Sequence, residues 1–133
     1  MKRWQILNKF TNSKGSYEVI LPVISFKEDG AAIIFCPALD LSGSGNTETE
    51  AKQSFEIAIN EYLNYTTNKG TLTADLKKLG WTILYTKGKK GRTKFASPPP
   101  MSELLETNDE FSRVFDSLPY KKFDTGVKLP AYA

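Results

Sequence analysis

Residues Ile33 to Leu63 constrain this chain most, because they read as a strand, a tight loop and a long helix in immediate succession. Ile33, Ile34, Phe35 and Cys36 form a short apolar run that Pro37 stops, and Leu39-Asp40-Leu41 are expected to continue extended. Ser42-Gly43-Ser44-Gly45-Asn46 then turns the chain. Thr47-Glu48-Thr49-Glu50 is a capping box: the Thr47 hydroxyl can accept from the backbone N–H three residues on, and Glu50 can reach back. Ala51, Phe55, Ala58, Ile59, Tyr62 and Leu63 fall on one face of the helix that follows. Such a helix needs a sheet to lie on.

The strands before it supply one. Tyr17 to Phe26 is rich in β-branched and aromatic residues and reads as a strand, with Pro22 implying an edge or a bulge. Asp29-Gly30 is a favoured hairpin pair, so Ala31 to Cys36 returns antiparallel. A third short strand is expected over Asp40 to Ser44, and an N-terminal strand or arm at Trp4, Ile6 and Phe10.

After the helix, Gly70 is a left-handed cap candidate. Leu72, Leu76 and Leu79 mark a short second helix over Thr71–Leu79. Trp81 to Tyr85 forms a strand, a Gly-Lys turn follows, and Arg92 to Phe95 pairs back. Ser97-Pro98-Pro99-Pro100 is a stiff break. Beyond it, Ser102 is a candidate cap for a helix bearing Leu104 and Leu105. Phe111, Val114, Phe115 and Leu118 form an amphipathic patch, and Val127-Lys128-Leu129-Pro130 is extended. The expected fold is α+β: a three- to four-stranded, mainly antiparallel sheet with one long helix packed across it, plus a short helix, a basic hairpin and a C-terminal tail. The expected division is residues 1–96, with their core at 17–66, and a tail at 97–133. That tail is too short to hold its own core and must dock on the chain itself, on a second copy or on another partner.

Composition removes several function classes. The chain has no histidine, hence neither the usual general base nor the commonest metal ligand. Its single cysteine, Cys36, cannot form an internal disulfide and reads as a small core residue. No cofactor is expected. No apolar run approaches the ~18 residues that span a bilayer, and Met1 to Gln5 does not begin a signal peptide, so the expected location is cytoplasmic with no membrane partner. Charge is segregated. Residues 1–86 carry nine basic and nine acidic side chains, whereas residues 87–96 carry five basic and none acidic.

The ordered set Glu28-Asp29-Gly30, Phe35-Cys36-Pro37-Ala38-Leu39, Ser42-Gly43-Ser44 and Gly45-Asn46-Thr47-Glu48-Thr49-Glu50-Ala51, followed by Ala58-Ile59 and Tyr62-Leu63, resembles the core of the HicB family of antitoxins, over roughly residues 17–66. Leu79-Gly80-Trp81, a lysine-rich strand end and a Pro-rich tail resemble a variant from the Bacteroides group. One departure is Ala38, where the family pattern has an acid after the proline. A second is that no helix–turn–helix or ribbon–helix–helix pattern follows Trp81. The resemblance implies a partial RNase H-like fold without catalytic activity. It also implies binding to a small HicA-type mRNA-cleaving toxin, assembly as a homodimer or higher homo-oligomer, and operator DNA binding for transcriptional autoregulation.

Candidate residues follow from these patterns. Lys87, Lys89, Lys90, Arg92 and Lys94 are candidate nucleic-acid contacts, or else a solvated turn whose lysines protect a strand edge. Ile57 lies off the helix's apolar stripe and is a candidate partner contact, as are Phe111, Val114, Phe115 and Leu118. Glu48, Glu56, Glu61, Glu103, Glu106, Asp109 and Glu110 are candidates to steer a basic partner. Two rivals stand beside the antitoxin reading. One is a stand-alone nucleic-acid-binding or regulatory module built on residues 87–94. The other is a metal-dependent nuclease using Asp40 with Glu56 or Glu61.

Overall fold

The two-residue turn at Asp29 and Gly30 holds both residues in the left-handed region, with φ 54° and 81°, the geometry that matches the twist of paired strands. It is the first clear landmark in the structure, a computed structural model that describes residues 4–6, 16–88 and 91–130. In chain order the elements are β1 (Trp4–Gln5), β2 (Ser16–Glu28), β3 (Ala31–Cys36), β4 (Leu41–Gly45), α1 (Glu48–Lys69), α2 (Leu72–Lys78), β5 (Thr82–Gly88), β6 (Gly91–Ser97), α3 (Met101–Thr107), α4 (Asp109–Ser117) and β7 (Tyr120–Pro130). Phe10 lies outside the described residues.

Pro37 ends β3 as expected, but the next residues do not continue extended. Leu39 N donates to Cys36 O and Asp40 N to Pro37 O, both at 3.3 Å, and Asp40 sits at φ 54°. This reversal lets β4 return antiparallel to β3, from Cys36↔Leu41 to Ala32↔Gly45. The glycines of β4 serve packing. A Cβ on Gly43 would lie 2.3 Å from the Phe55 backbone N and 2.6 Å from Ala51 O, so only a glycine lets α1 approach this strand so closely. The cap of α1 forms, with Thr47 Oγ1 accepting from Glu50 N at 3.1 Å. The Glu50 carboxylate accepts from Asn46 N at 2.8 Å. Gly70, at φ 71°, closes the helix.

The main sheet has five strands in the order β1-β7-β2-β3-β4, one more than the expected upper count. The addition is the tail: β7 pairs antiparallel with β2 from Ser16↔Pro130 to Phe26↔Tyr120. Only Val127–Pro130 was expected to be extended. The sheet is mixed, because β1 runs parallel to β7 through Trp4↔Thr125 and Gln5↔Gly126. Register between β2 and β3 begins at Ile24, so Pro22 lies where β7 is the neighbour of β2 and no donor is needed on the β3 side.

Alternation along the strands assigns the two faces. Lys121 reaches Glu48 of α1 at 3.1 Å, and Trp4 packs on Phe55 with ring centroids 5.8 Å apart. The face holding Leu21, Val23, Ile34 and Val127 therefore lies under α1, whose Ala51, Phe55, Ile59 and Leu63 are fully buried. Tyr120 belongs to the opposite face, beside Phe26, and its ring meets Phe115 of α4 at 5.6 Å. Ile24, Phe26 and Phe35 on that face are buried, and Phe111 and Val114 of α4 and Leu104 of α3 join the same core. Helix α3 begins behind Pro100 with no side-chain cap, so Ser102 does not cap it. The architecture is helix, sheet, helix pair.

Strands β5 and β6 stand apart as a two-stranded ribbon. Its base is fastened at three points: Trp81 Nε1 donates to Ala38 O at 2.7 Å, Ala96 N donates to the Tyr17 hydroxyl at 2.6 Å, and Phe95 meets Tyr17 edge-on at 5.1 Å. Among the described residues no helix is long and apolar enough to cross a membrane.

Candidate functional site

The stripe that buries α1 dictates what its outer face presents. Gln53, Glu56, Ile57, Asn60, Glu61 and Asn64 line a shallow open groove along that face. Ile57 is 61% exposed and Tyr65, two turns on, is 64% exposed. Tyr65 was not singled out from sequence, although it carries the same signal as Ile57, an apolar side chain off the buried stripe. Glu56 is fixed at the groove wall by Trp4 Nε1, which donates to it at 2.7 Å. Lys52 stacks over the Trp4 and Phe123 rings at 5.2 and 4.4 Å, closing the sheet side of this face.

The C-terminal candidates separate. Phe111 and Val114 are 0% exposed, so they belong to the chain's own core rather than to an open partner surface. The helical spacing was right, but the sheet's second face already covers that stripe. Leu118 is half-buried and packed against the same core. Phe115, at 40% exposure, reaches the surface.

Of the acidic candidates, Glu61, Glu103, Glu106, Asp109 and Glu110 are exposed and Glu48 and Glu56 half-buried, and several are engaged. Glu48 pairs with Lys52 and Lys121. Arg113 bridges Glu110 on its own helix and Glu28 on the β2–β3 hairpin. Hydrogen bonding from Arg113 holds the Glu110 carboxyl below its ordinary range, and the bonds to Glu110 and Glu28 hold the guanidinium proton more tightly. Asp40, Glu103, Asp109 and Glu110 line an open cleft with Lys78 at its rim. Asp40 accepts from Asn108 Nδ2 at 3.2 Å, while Glu56 is bonded to Trp4. Among the described residues, no three His, Cys, Asp or Glu side chains are grouped to hold a metal ion. Cys36 is buried, and burial pushes its thiol up to about 12, partly offset by the Leu39 and Ala38 backbone N–H groups.

The basic candidates lie on the ribbon. Lys87 stands opposite Arg92 and Tyr85 opposite Lys94; Lys89 and Lys90 lie outside the described residues. Strand alternation places Leu84 and Phe95 on one face of the ribbon and Tyr85 on the other. No protein-family model, curated protein or solved structure matches this chain.

Proposed function

We propose that this protein is a non-catalytic, HicB-like antitoxin that binds a small, basic, HicA-type mRNA-cleaving toxin and covers the toxin's RNA site. The observation that carries the proposal is Ile57. A large aliphatic side chain 61% exposed in the middle of a long helix, in a groove walled by Glu56 and Glu61 and otherwise lined by amides, has the make-up of an interface: an apolar anchor inside a polar rim. The carboxylates accelerate encounter with a cationic protein. The amides give directional hydrogen bonds once Ile57 has been desolvated. Inhibition then needs no chemistry from this chain, since a bound α1 face both neutralises and occludes an RNA-binding surface. The same reading places the protein in the cytoplasm and has it act as a homodimer or higher homo-oligomer.

The test is co-expression with a small basic ribonuclease encoded beside it, followed by titration of the purified pair. The expected result is a tight complex that Ile57→Asp weakens by about 30-fold or more, the scale of a hot-spot residue at ~2 kcal/mol, while the thermal transition stays put because Ile57 is exposed. A complex that tolerates Ile57→Asp removes the α1 face from the interface. Absence of any complex removes the antitoxin reading.

A further inference from the structure

The residues that line the α1 groove are spaced as one side of a coiled coil. Gln53, Ile57, Asn60 and Asn64 follow one another at intervals of four, three and four, so at about 100° per residue they fall within an arc of about 60°. That is the alternation of the a and d positions of a heptad, with Ile57 and Asn64 at a and Gln53 and Asn60 at d. Glu56 and Glu61 then take the g and e positions that flank such a seam. The arc lies on the side of α1 away from Ala51, Phe55, Ile59 and Leu63, which the helix buries against the sheet. The chain's own core therefore does not use this second seam, and its Ile57 is 61% exposed.

We infer that the α1 groove is the docking site for an α-helix of the partner, one that carries lysine or arginine along its flanks and faces Ile57 with an aliphatic side chain. The inference rests on the antitoxin reading for the identity of the partner and deepens it by naming the element that binds. A helix is favoured over a strand by spacing. The seam's knobs rise by about 6 and 4.5 Å in turn, whereas an extended strand repeats its side chains on one face at about 6.8 Å and falls out of step within three turns. A second copy of α1 is the wrong occupant. The flanks carry Glu56 on one side and Glu61 on the other, with no cation on either, so pairing the face with itself sets acid against acid. Charge complementarity selects a basic helix instead. The three amides fix the partner's register at a cost in stability, so the helix alone is expected to bind with a dissociation constant of about 1–100 μM.

The test is fluorescence anisotropy of the full chain with a labelled synthetic peptide of about 21 residues, three heptads long. It has isoleucine at its a and d positions apart from one central asparagine, and lysine at every e and g, which also keeps it from pairing with itself. Two controls are a scrambled peptide of the same composition and a peptide with glutamate at e and g. The lysine-flanked peptide is expected to bind and gain helicity by circular dichroism, and each control to bind at least about tenfold more weakly. Ile57→Asp is expected to weaken it by about 30-fold. Glu56→Lys/Glu61→Lys is expected to reverse the preference, so that the glutamate-flanked peptide binds better. Glu56 also accepts from Trp4. Should that double variant lose its thermal transition, Glu61→Lys alone serves, narrowing the gap between the two flanked peptides by about threefold. Equal binding of the lysine-flanked and scrambled peptides would reduce the effect to charge and overturn the helix site. So would a preference that these variants leave unchanged, or no binding at about 1 mM peptide. The two readings fail separately. Binding of the peptide but of no basic ribonuclease keeps the helix site and removes the antitoxin; a ribonuclease complex that Ile57→Asp breaks, with no binding of the peptide, keeps the antitoxin and overturns the helix.

Discussion

Residues 16–70 and residues 97–130 do the same structural work by opposite routes. Each contributes to the five-stranded sheet and lays helix against one of its faces. In the first region every step is local. A two-residue turn joins β2 to β3, a short reversal joins β3 to β4, and Thr47 starts α1 directly behind β4. In the second, β7 finds its partner across most of the chain, with Tyr17 opposite Leu129 and Phe26 opposite Tyr120. Local pairings stand on turn chemistry and caps. The distant one must recover its loop-closure entropy from burial, and Val127 and Leu129, both essentially fully buried, are where it does so.

The largest test of this contrast is a chain ending at Ser97. Removing β7 and α3–α4 opens the β2 edge from Ser16 to Phe26 and strips the cover over Ile24, Phe26 and Phe35. The expected outcome is loss of a cooperative thermal transition by circular dichroism. A truncated chain that still melts cooperatively near the wild-type temperature would make residues 97–130 an appendage and the first region a self-sufficient domain.

Next in size are Phe55→Ala and Phe111→Ala. Both rings are fully buried, one above each sheet face, and each substitution is expected to cost about 3–5 kcal/mol in denaturant unfolding. Matching losses mean one cooperative core. A Phe111→Ala cost under about 1 kcal/mol would mean that α4 rests on the sheet without being integral to it. Gly43→Ala probes the first region alone. Its Cβ would meet the backbone of α1 and not a movable side chain, so destabilisation of about 1–3 kcal/mol is expected from the same measurement.

Those substitutions also mark where sequence patterns suffice. The hairpin, the Thr47 cap, the buried stripe of α1 and the Gly70 stop were legible because each is written within a few residues by turn or capping chemistry. β7 was not. Tyr-Lys-Lys-Phe-Asp-Thr-Gly lacks a clean alternation of apolar and polar residues, since Lys121 and Lys122 are adjacent and Gly126 offers no side chain; only pairing with β2 makes this stretch a strand. The candidate sites divide in the same way. Ile57 was legible because one helix carries both the stripe and the exception to it. Periodicity also found the α4 stripe, but it could not say that the chain's own sheet would cover Phe111 and Val114.

The smallest effects lie where the two regions are clasped at the surface. Thr47 and Asn108 cap α1 and α4 in the same manner, each accepting from the N–H three residues on, at 3.1 and 3.0 Å. Either alanine substitution is expected to cost about 1 kcal/mol. Asn108→Ala should cost more, because the Asn108 amide also donates to Asp40 at 3.2 Å and so ties α4 to the reversal between β3 and β4. The Arg113 clasp on Glu110 and Glu28 is weaker still, being exposed and screened. Its sign with pH is nonetheless fixed. Glu110 has a lowered carboxyl pKa in the folded chain, so its contribution is present above the unfolded carboxylate range and is lost as pH falls through that lowered value. Comparing wild type with Arg113→Gln by denaturant unfolding should therefore show a small gap at neutral pH that closes on acidification. A gap that persists in acid would assign Arg113 to packing of its alkyl stem instead of to charge, leaving the Asn108–Asp40 hydrogen bond as the polar tie between α4 and the first region.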